Sequence, residues 1–275
     1  MSTFQLKLPQ AIEYLRSLSA LVKVNDQGYP IKVSWGYSHP DGLPSPTDKG
    51  LEYLSKFTTL IELELGNMED EQLAYLSKLE NLNCLRFNHP LVVFRGGITD
   101  NGLPHIKELV NLEILDFGRT SQITDMGLPI LAHFKKLQFL NLTQSSLVTV
   151  KGLEQLKGLS ELRCLGVPDT LSLKYVQHFP TLEIINICDT NDSEIQYLET
   201  LNNIQELYIY PDIDSSDIDK LVEVTDASIK TLIQLKTLKK LSLWQTKISE
   251  QGVKQIQNEL SNCEIEFVTI NDEKA

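Results

Sequence analysis

Histidines and cysteines are the side chains of this 275-residue sequence best suited to acid–base, nucleophilic or metal-binding chemistry. The five histidines are His39, His89, His105, His133 and His178. The four cysteines are Cys84, Cys164, Cys188 and Cys263. Both sets are scattered, and the sequence has no C-x-x-C pair, H-E-x-x-H helix, G-x-S-x-G elbow or G-x-x-x-x-G-K phosphate loop. This pattern predicts a protein that is not an enzyme and uses no metal or cofactor.

A group of aspartates could attract a hard cation such as calcium. Its members are Asp212, Asp214, Asp217 and Asp219. The ligand spacing of an EF-hand and its glycine are missing from this segment. A solvated acidic loop with a short helix is therefore favoured over a calcium site.

The charge balance excludes some classes of partner. Lys and Arg total 25 against 37 Asp and Glu, which gives a net charge of −12. Nucleic acids and anionic membranes are bound through basic surfaces, so neither is an expected partner. Net acidity more often reflects solubility, but the acidic first and last repeats, with Glu62/Glu64 and Glu264/Glu266, favour a basic protein or peptide because opposite charges accelerate encounter.

Scattered cysteines are typical of reduced thiols in a cytoplasmic protein. The first residues show no secretory signal pattern, and no apolar run reaches the length of a membrane-spanning helix. We therefore expect a cytoplasmic location. The alternative is delivery into a host cell by a specialised secretion system.

The elements that would position any binding residues follow from an internal repeat. Residues 98–103 (ITDNGL) recur 25 residues later as 123–128 (ITDMGL), and residues 112–117 (LEILDF) recur at the same offset as 137–142 (LQFLNL). A period of this size is typical of a solenoid, in which each unit buries its apolar face only against its neighbours.

The L-x-x-L-x-L motif followed by a helix that opens with I-T-D-x-G-L resembles a leucine-rich repeat. The helix-bearing ribonuclease-inhibitor-like and cysteine-containing subtypes, common in bacterial proteins, are the most similar. The resemblance implies an α/β horseshoe with a parallel sheet on its concave face, helices on its convex face and, usually, a protein partner.

The predicted organisation is an N-terminal cap (1–46), a repeat domain of about nine repeats (47–268) and a disordered tail (269–275). Helical spacing of apolar residues predicts an amphipathic helix over 9–24, and alternation predicts a cap strand over 31–35. The predicted strands of the repeats contain the buried pairs Leu63/Leu65, Leu85/Phe87, Leu115/Phe117, Leu140/Leu142, Leu165/Val167, Ile185/Ile187, Leu207/Ile209, Leu241/Leu243 and Ile265/Phe267.

Short polar signatures precede the predicted helices. Thr47, Thr99, Thr124, Thr149 and Thr225 should each accept a hydrogen bond from a first-turn N–H. Aspartates that follow four of them, such as Asp100, suit the positive end of a helix dipole. Recurrent glycines, such as Gly102 and Gly127, predict close packing between units because glycine disfavours helices by roughly 1 kcal/mol relative to Ala.

Where the family usually has Asn or Cys in the turn after the strand, this sequence mostly has hydroxyls. These residues are Thr120, Ser145, Thr170, Thr190 and Thr246, and we expect them to bond the turn backbone more weakly.

Alternation along each strand exposes every second side chain on the concave face. Tyr208, Tyr210 and Trp244 form a predicted aromatic corner, a composition favoured at interfaces. Ile114, Phe139 and Ile184 form an apolar stripe that either contacts a partner or packs against itself. Arg86 and Lys240 are predicted as isolated basic points that set register on the partner.

Two repeats are longer than the rest, with strand intervals of 30 and 34 residues, and the extra residues fall at 88–97 and 210–224. Such insertions often carry binding function, although the apolar stretch 91–94 favours folding back onto the solenoid.

The predicted function is a non-catalytic module that binds a protein or peptide on its concave face. An effector or adaptor in a ubiquitin-type pathway is one alternative, because related repeats accompany F-box segments or ligase domains, although residues 9–24 are too short for an F-box. A self-associating structural protein is another, and the sequence leaves the oligomeric state open.

Overall fold

The computed structural model describes residues 8–35, 46–66, 68–87, 97–118, 122–143, 145–167, 173–211 and 220–269. The chain forms two compact units, Met1–Leu137 and Gln138–Ala275. Their boundary falls inside the predicted repeat domain. The prolines and glycines of residues 36–46 predict a loop, of which 36–45 lie outside the described residues. Most of both insertions (88–96 and 212–219) and residues 270–275 of the tail lie outside them as well.

The first unit begins with a shorter helix than the sequence predicts. Helix α1 spans Leu8–Ser17 and is followed by the antiparallel strands β1 (Ala20–Val24) and β2 (Pro30–Trp35). The prediction of one helix over 9–24 is therefore wrong in its second half. Ser19 has a φ of 64°, which ends the helix, and the β-branched residues that follow pair with β2.

The remaining elements of the first unit alternate between strand and helix. They are α2 (Asp48–Leu54), β3 (Glu62–Leu65), a 3-10 helix (Asp70–Leu76), β4 (Cys84–Phe87), a second 3-10 helix (Leu103–Ile106), β5 (Ile114–Asp116) and α3 (Leu128–Leu131). Strands β2 to β5 are parallel and pair without slippage, so that Lys32, Glu62, Cys84 and Ile114 occupy one row.

The second unit continues the same alternation. Its elements are β6 (Phe139–Asn141), α4 (Val150–Leu153), a 3-10 helix (Glu154–Gly158), β7 (Cys164–Val167), α5 (Leu173–Val176), β8 (Ile184–Cys188), α6 (Asp192–Ile195), a 3-10 helix (Gln196–Thr200), β9 (Glu206–Tyr210), β10 (Val222–Thr225), a 3-10 helix (Asp226–Ser228), α7 (Ile229–Leu232), β11 (Lys240–Trp244), β12 (Thr246–Lys247), α8 (Glu250–Glu259) and β13 (Glu264–Val268). Strands β6, β7, β8, β9, β11 and β13 are parallel neighbours in that order, whereas β10 and β12 form a separate pair.

The predicted strand pairs lie in strands or directly follow them. Eight of the nine pairs are buried, which places the leucine side of each sheet in a core. The ninth pair, Ile265 and Phe267 on β13, is only partly buried. Burial of apolar side chains at about 25 cal/mol per Å² makes this core the main stabilising feature of each unit.

The repeated aspartates do more than complement a helix dipole. The carboxylate of Asp70 accepts hydrogen bonds from the backbone N–H (2.8 Å) and hydroxyl (2.6 Å) of Thr99 in the next repeat. Asp226 makes the same two bonds to Ser249, each 2.8 Å long. A recurrent aspartate at the start of the helical segment therefore joins successive repeats within each unit.

The recurrent glycines pack as closely as the sequence predicts. A Cβ placed on Gly102 would lie 2.5 Å from Oδ1 of Asp70 and 2.9 Å from Cδ1 of Leu73. Real Cβ atoms do not approach other atoms so closely, so glycine at this position leaves room for the aspartate of the preceding repeat.

A second set of bonds between repeats was not predicted. Asn81 Nδ2 donates to the carbonyl oxygen of Thr58, and Asn203 Nδ2 donates to that of Pro180. The hydroxyl of Thr237 donates to the carbonyl oxygen of Ile204 at 2.6 Å. These side chains satisfy backbone carbonyl groups that precede β3, β8 and β9 in the preceding repeat.

The expectation that turn hydroxyls bond the backbone is wrong at two positions. The Oγ1 atoms of Thr190 and Thr246 are buried and have no hydrogen-bond partner among the described residues. Ser145 is buried as well. Thr120 and Thr170 lie outside the described residues. A short hydroxyl reaches fewer backbone groups than the amide of Asn, which explains the difference at Thr190 and Thr246.

Candidate protein-interaction face

Each sheet has a second face, which carries the side chains that alternate with the buried leucines; we call it the open face. On β9, for example, Leu207 and Ile209 are fully buried whereas Glu206, Tyr208 and Tyr210 remain partly accessible. All eight residues predicted to bind a partner lie on the open face of one unit or the other.

The open face of the first unit is a network of ion pairs. Lys32 Nζ lies 2.8 Å from Oε2 of Glu62 and 3.1 Å from Oε1 of Glu64, and Arg86 Nη1 lies 3.6 Å from the same Glu64 oxygen. The hydrogen bond to Glu62 is the main reason that the pKa of Lys32 is raised. Arg86 is therefore not an isolated basic point, since it shares a carboxylate with Lys32.

The open face of the second unit has a different arrangement around Tyr208. The phenol donates a hydrogen bond of 2.7 Å to Oε2 of Glu206, two residues earlier on β9. Lys240 Nζ lies 5.7 Å from the centroid of the Tyr208 ring, which is cation–π geometry. The same Nζ lies 3.9 Å from Glu264 and 3.8 Å from Glu266, so Lys240 is also not isolated.

The environment of Tyr208 keeps its phenol protonated. Burial raises the pKa of Tyr208 to about 12, assisted by the hydrogen bond to Glu206 and by the negative charge of Glu266. A neutral phenol with its hydroxyl already bound presents mainly its ring to a partner.

Tyr210 and Trp244 extend this aromatic surface. Tyr210 follows Tyr208 by two residues on the open face of β9, and Tyr208 pairs with Ser242 on β11. Trp244 lies two residues beyond Ser242 and is 37% exposed. The three aromatic residues predicted from the sequence therefore share one face of two neighbouring strands; together they are the aromatic patch.

The predicted apolar stripe is divided. Ile114 lies on β5 in the first unit, whereas Phe139 and Ile184 lie on β6 and β8 in the second. Cys164 on β7 pairs with both Phe139 and Ile184, and its side chain is buried between them. Phe139 and Ile184 are only partly buried, so they can contact a partner at their outer edges.

The thiols of this face are buried, and the described part of the chain shows no metal centre. All four cysteines are buried and none forms a disulfide, and burial raises the pKa of Cys84 and Cys263. The described residues contain no cluster of three or more His, Cys, Asp or Glu side chains able to hold a metal ion. Among the same residues, no helix is long and apolar enough to cross a membrane.

The strand–helix units, buried leucine rows and parallel sheets define an α/β repeat fold of the leucine-rich-repeat class. Solved structures of two internalins from Listeria monocytogenes are similar to this chain. The inlF internalin has a TM-score of 0.50 and 18% identity, and the match covers 81% of this chain and 64% of that one. Internalin C2 has a TM-score of 0.43 and 18% identity, and the match covers 86% of this chain and 80% of that one.

At 18% identity the likeness to the inlF internalin shows the fold alone, and the match covers less than two thirds of that protein's length. No protein-family model matches the chain, and no curated protein matches it.

Glu206 was not predicted as a site residue, and Glu264 and Glu266 were predicted only to attract a basic partner at long range. The sequence does place them in the same columns as Tyr208 and Lys240, but only the strand register shows that Lys240 pairs with Glu206 on one side and Glu264 on the other. The signal available in the sequence was the first open-face position of the last three repeat strands, where Lys240 stands between Glu206 and Glu264.

Proposed function

We propose that this protein is a non-catalytic interaction module that binds a protein or peptide on the open face of its second unit. The observation that carries the proposal is the aromatic patch, Tyr208, Tyr210 and Trp244, on one face of two adjacent strands. Tyr and Trp are enriched among residues that dominate binding energies, because each buries a large rigid surface at a small cost in conformational entropy.

The neighbouring open-face residues would enlarge the contact. Phe139 and Ile184 extend the apolar surface across β6 and β8 in the same unit. Lys240 belongs to the same surface, whereas Ile114 and Arg86 are proposed as a separate contact on the open face of the first unit. Because Arg86 and Lys240 already form ion pairs, they would contribute by shaping the local charge.

A hydrogen-bonded sheet also suits this function. Side chains that stand on paired strands are already ordered before a partner arrives, so less entropy is lost on docking. Residues 1–46 are proposed as a cap that protects the first core, and the net charge of −12 favours a basic partner. We keep the cytoplasm as the proposed location, with delivery into a host cell as its alternative.

Affinity capture with matched variants tests the proposal. Wild type and the variant Tyr208→Ala/Tyr210→Ala/Trp244→Ala are immobilised and exposed to lysate of the source organism, or of its host if it has one. The control variant is Tyr29→Ala/Met126→Ala/Leu147→Ala, which removes exposed apolar side chains elsewhere. Circular dichroism first establishes that both variants are folded.

We expect a protein that wild type and the control variant retain and the patch variant loses. Equal retention of the same proteins by all three would contradict a binding role for the aromatic patch. Retention lost equally in both variants would indicate nonspecific hydrophobic capture and would contradict it as well.

A further inference from the structure

The aromatic patch lies beside an excess of negative charge. The open faces of β9, β11 and β13, all of whose residues the structure describes, carry Glu206, Glu264, Glu266 and one cation, Lys240. Strands β2, β3 and β4 differ, because there Lys32 and Arg86 balance Glu62 and Glu64. On the open faces of these three strands, therefore, three carboxylates face a single cation.

Lys240 shows how a cation fits against this surface. Its ammonium lies over the Tyr208 ring and between two glutamates, but at 3.8 and 3.9 Å it is too far from their oxygens for good hydrogen bonds. Glu264 has 72% of its side chain exposed. Glu266 already accepts a hydrogen bond of 3.0 Å from the hydroxyl of Ser242, so the more exposed carboxylate of Glu264 has the greater remaining capacity to accept hydrogen bonds from another cationic group.

We infer that the partner is a basic peptide segment, and that one of its arginine side chains docks between the Tyr208 ring and the carboxylates of Glu264 and Glu266, where it displaces the Lys240 ammonium. The inference rests on the proposed function and specifies its partner. A guanidinium suits this position because it can stack on the ring and donate two parallel hydrogen bonds to one carboxylate.

The remaining residues of the aromatic patch give the segment a second contact. Trp244 is 37% exposed and lies beyond Ser242 on β11, the strand that also carries Lys240. An apolar side chain next to the arginine would pack on this ring. Charge complementarity thus selects the segment, and the exposed ring of Trp244 adds apolar contact area.

A random dodecapeptide library displayed on phage is the probe. Peptides selected on wild-type protein are synthesised with arginine or with citrulline, its neutral isostere, and their affinities are measured by titration calorimetry. We expect selected peptides to contain arginine and to bind at least about tenfold more weakly with citrulline, since a charge-assisted hydrogen bond typically contributes this much. Selection of peptides without basic residues, or equal binding of citrulline peptides, overturns the inference.

Protein variants test the position of the arginine. Glu264→Gln should weaken binding of the arginine peptides several-fold more than Glu161→Gln, which removes the same charge from an exposed residue before β7. Lys240→Met should strengthen binding more than Lys254→Met, a control on α8. Equal effects within each pair would show that only net charge matters and would overturn the docking site.

The outcomes separate this inference from the proposed function. Selected non-basic peptides that bind wild type but not the patch variant overturn the inference and leave the proposed function standing. Peptides that bind the patch variant as well as wild type contradict both. If the library yields no binder, the inference fails because it requires a linear segment, whereas the capture experiment still tests the proposed function.

Discussion

The carboxylate of Asp100 accepts hydrogen bonds from both the backbone N–H and the hydroxyl of Thr124, at 2.9 and 2.5 Å. Thr124 lies one repeat further along the chain, and its hydroxyl accepts a bond from the N–H of Met126. One aspartate thus fixes the start of the next helical segment. The same relationship recurs at Asp70, Asp192 and Asp226.

We expect Asp100→Ala to lower the free energy of unfolding by about 2 kcal/mol, because two charge-assisted hydrogen bonds are lost and the Thr124 N–H is left unpaired. Urea titration followed by circular dichroism measures the change. Asp26→Ala, in an exposed turn, is the control and should shift the free energy by less than about 0.5 kcal/mol. Similar values for the two variants would show that the bonds between repeats contribute little.

The fold was predictable because its signals are local and repeated. The 25-residue period fixed the repeat architecture, and alternation of apolar residues identified the strands. The prediction of a helix over 9–24 was wrong in its second half because the apolar residues of 18–24 fit both helical spacing and strand alternation. In the structure the positive φ of Ser19 marks the change from helix to strand.

The site was predictable in part. Alternation correctly placed Tyr208, Tyr210 and Trp244 on one face, since a side chain's face depends only on its position in the strand. The ion pairs of Arg86 and Lys240 could not be predicted, because they depend on rotamers of long side chains. They also depend on register across irregular intervals such as the 34 residues between Leu207 and Leu241.

Replacing the unpaired hydroxyl of Thr190 should stabilise the protein. We expect Thr190→Val to raise the free energy of unfolding by about 1 kcal/mol, because valine has the same shape and no buried hydroxyl to desolvate. Thr237→Val is the control for a hydroxyl with a partner and should destabilise by about 1 kcal/mol, since the Thr237 hydroxyl donates to the carbonyl oxygen of Ile204. A loss of stability in both variants would indicate that Thr190 has a partner in solution.

The cysteines should react slowly in the native protein. All four are buried, and the raised pKa of Cys84 and Cys263 reduces the thiolate that attacks electrophiles. A chromogenic disulfide reagent at neutral pH should titrate all four thiols in denaturant and none rapidly without it. A fast-reacting native thiol would instead favour a catalytic cysteine, as thioester transfer in a ubiquitin-type pathway requires.

Tyr208 should ionise late in an alkaline titration. Burial and the hydrogen bond to Glu206 raise its pKa to about 12, from an ordinary value of 10.0. Because the folded state holds the phenolic proton more tightly than the unfolded state, the stabilisation is complete below pH 10 and is lost as the pH rises towards 12. The phenolate absorbance of wild type minus that of Tyr208→Phe should therefore rise with a midpoint near the higher value.

Glu206→Gln should lower this midpoint, because the variant lacks the carboxylate that accepts the phenolic hydrogen bond and repels the phenolate. A difference curve centred on pH 10 in wild type would show that the phenol is solvated and that the bond to Glu206 does not form.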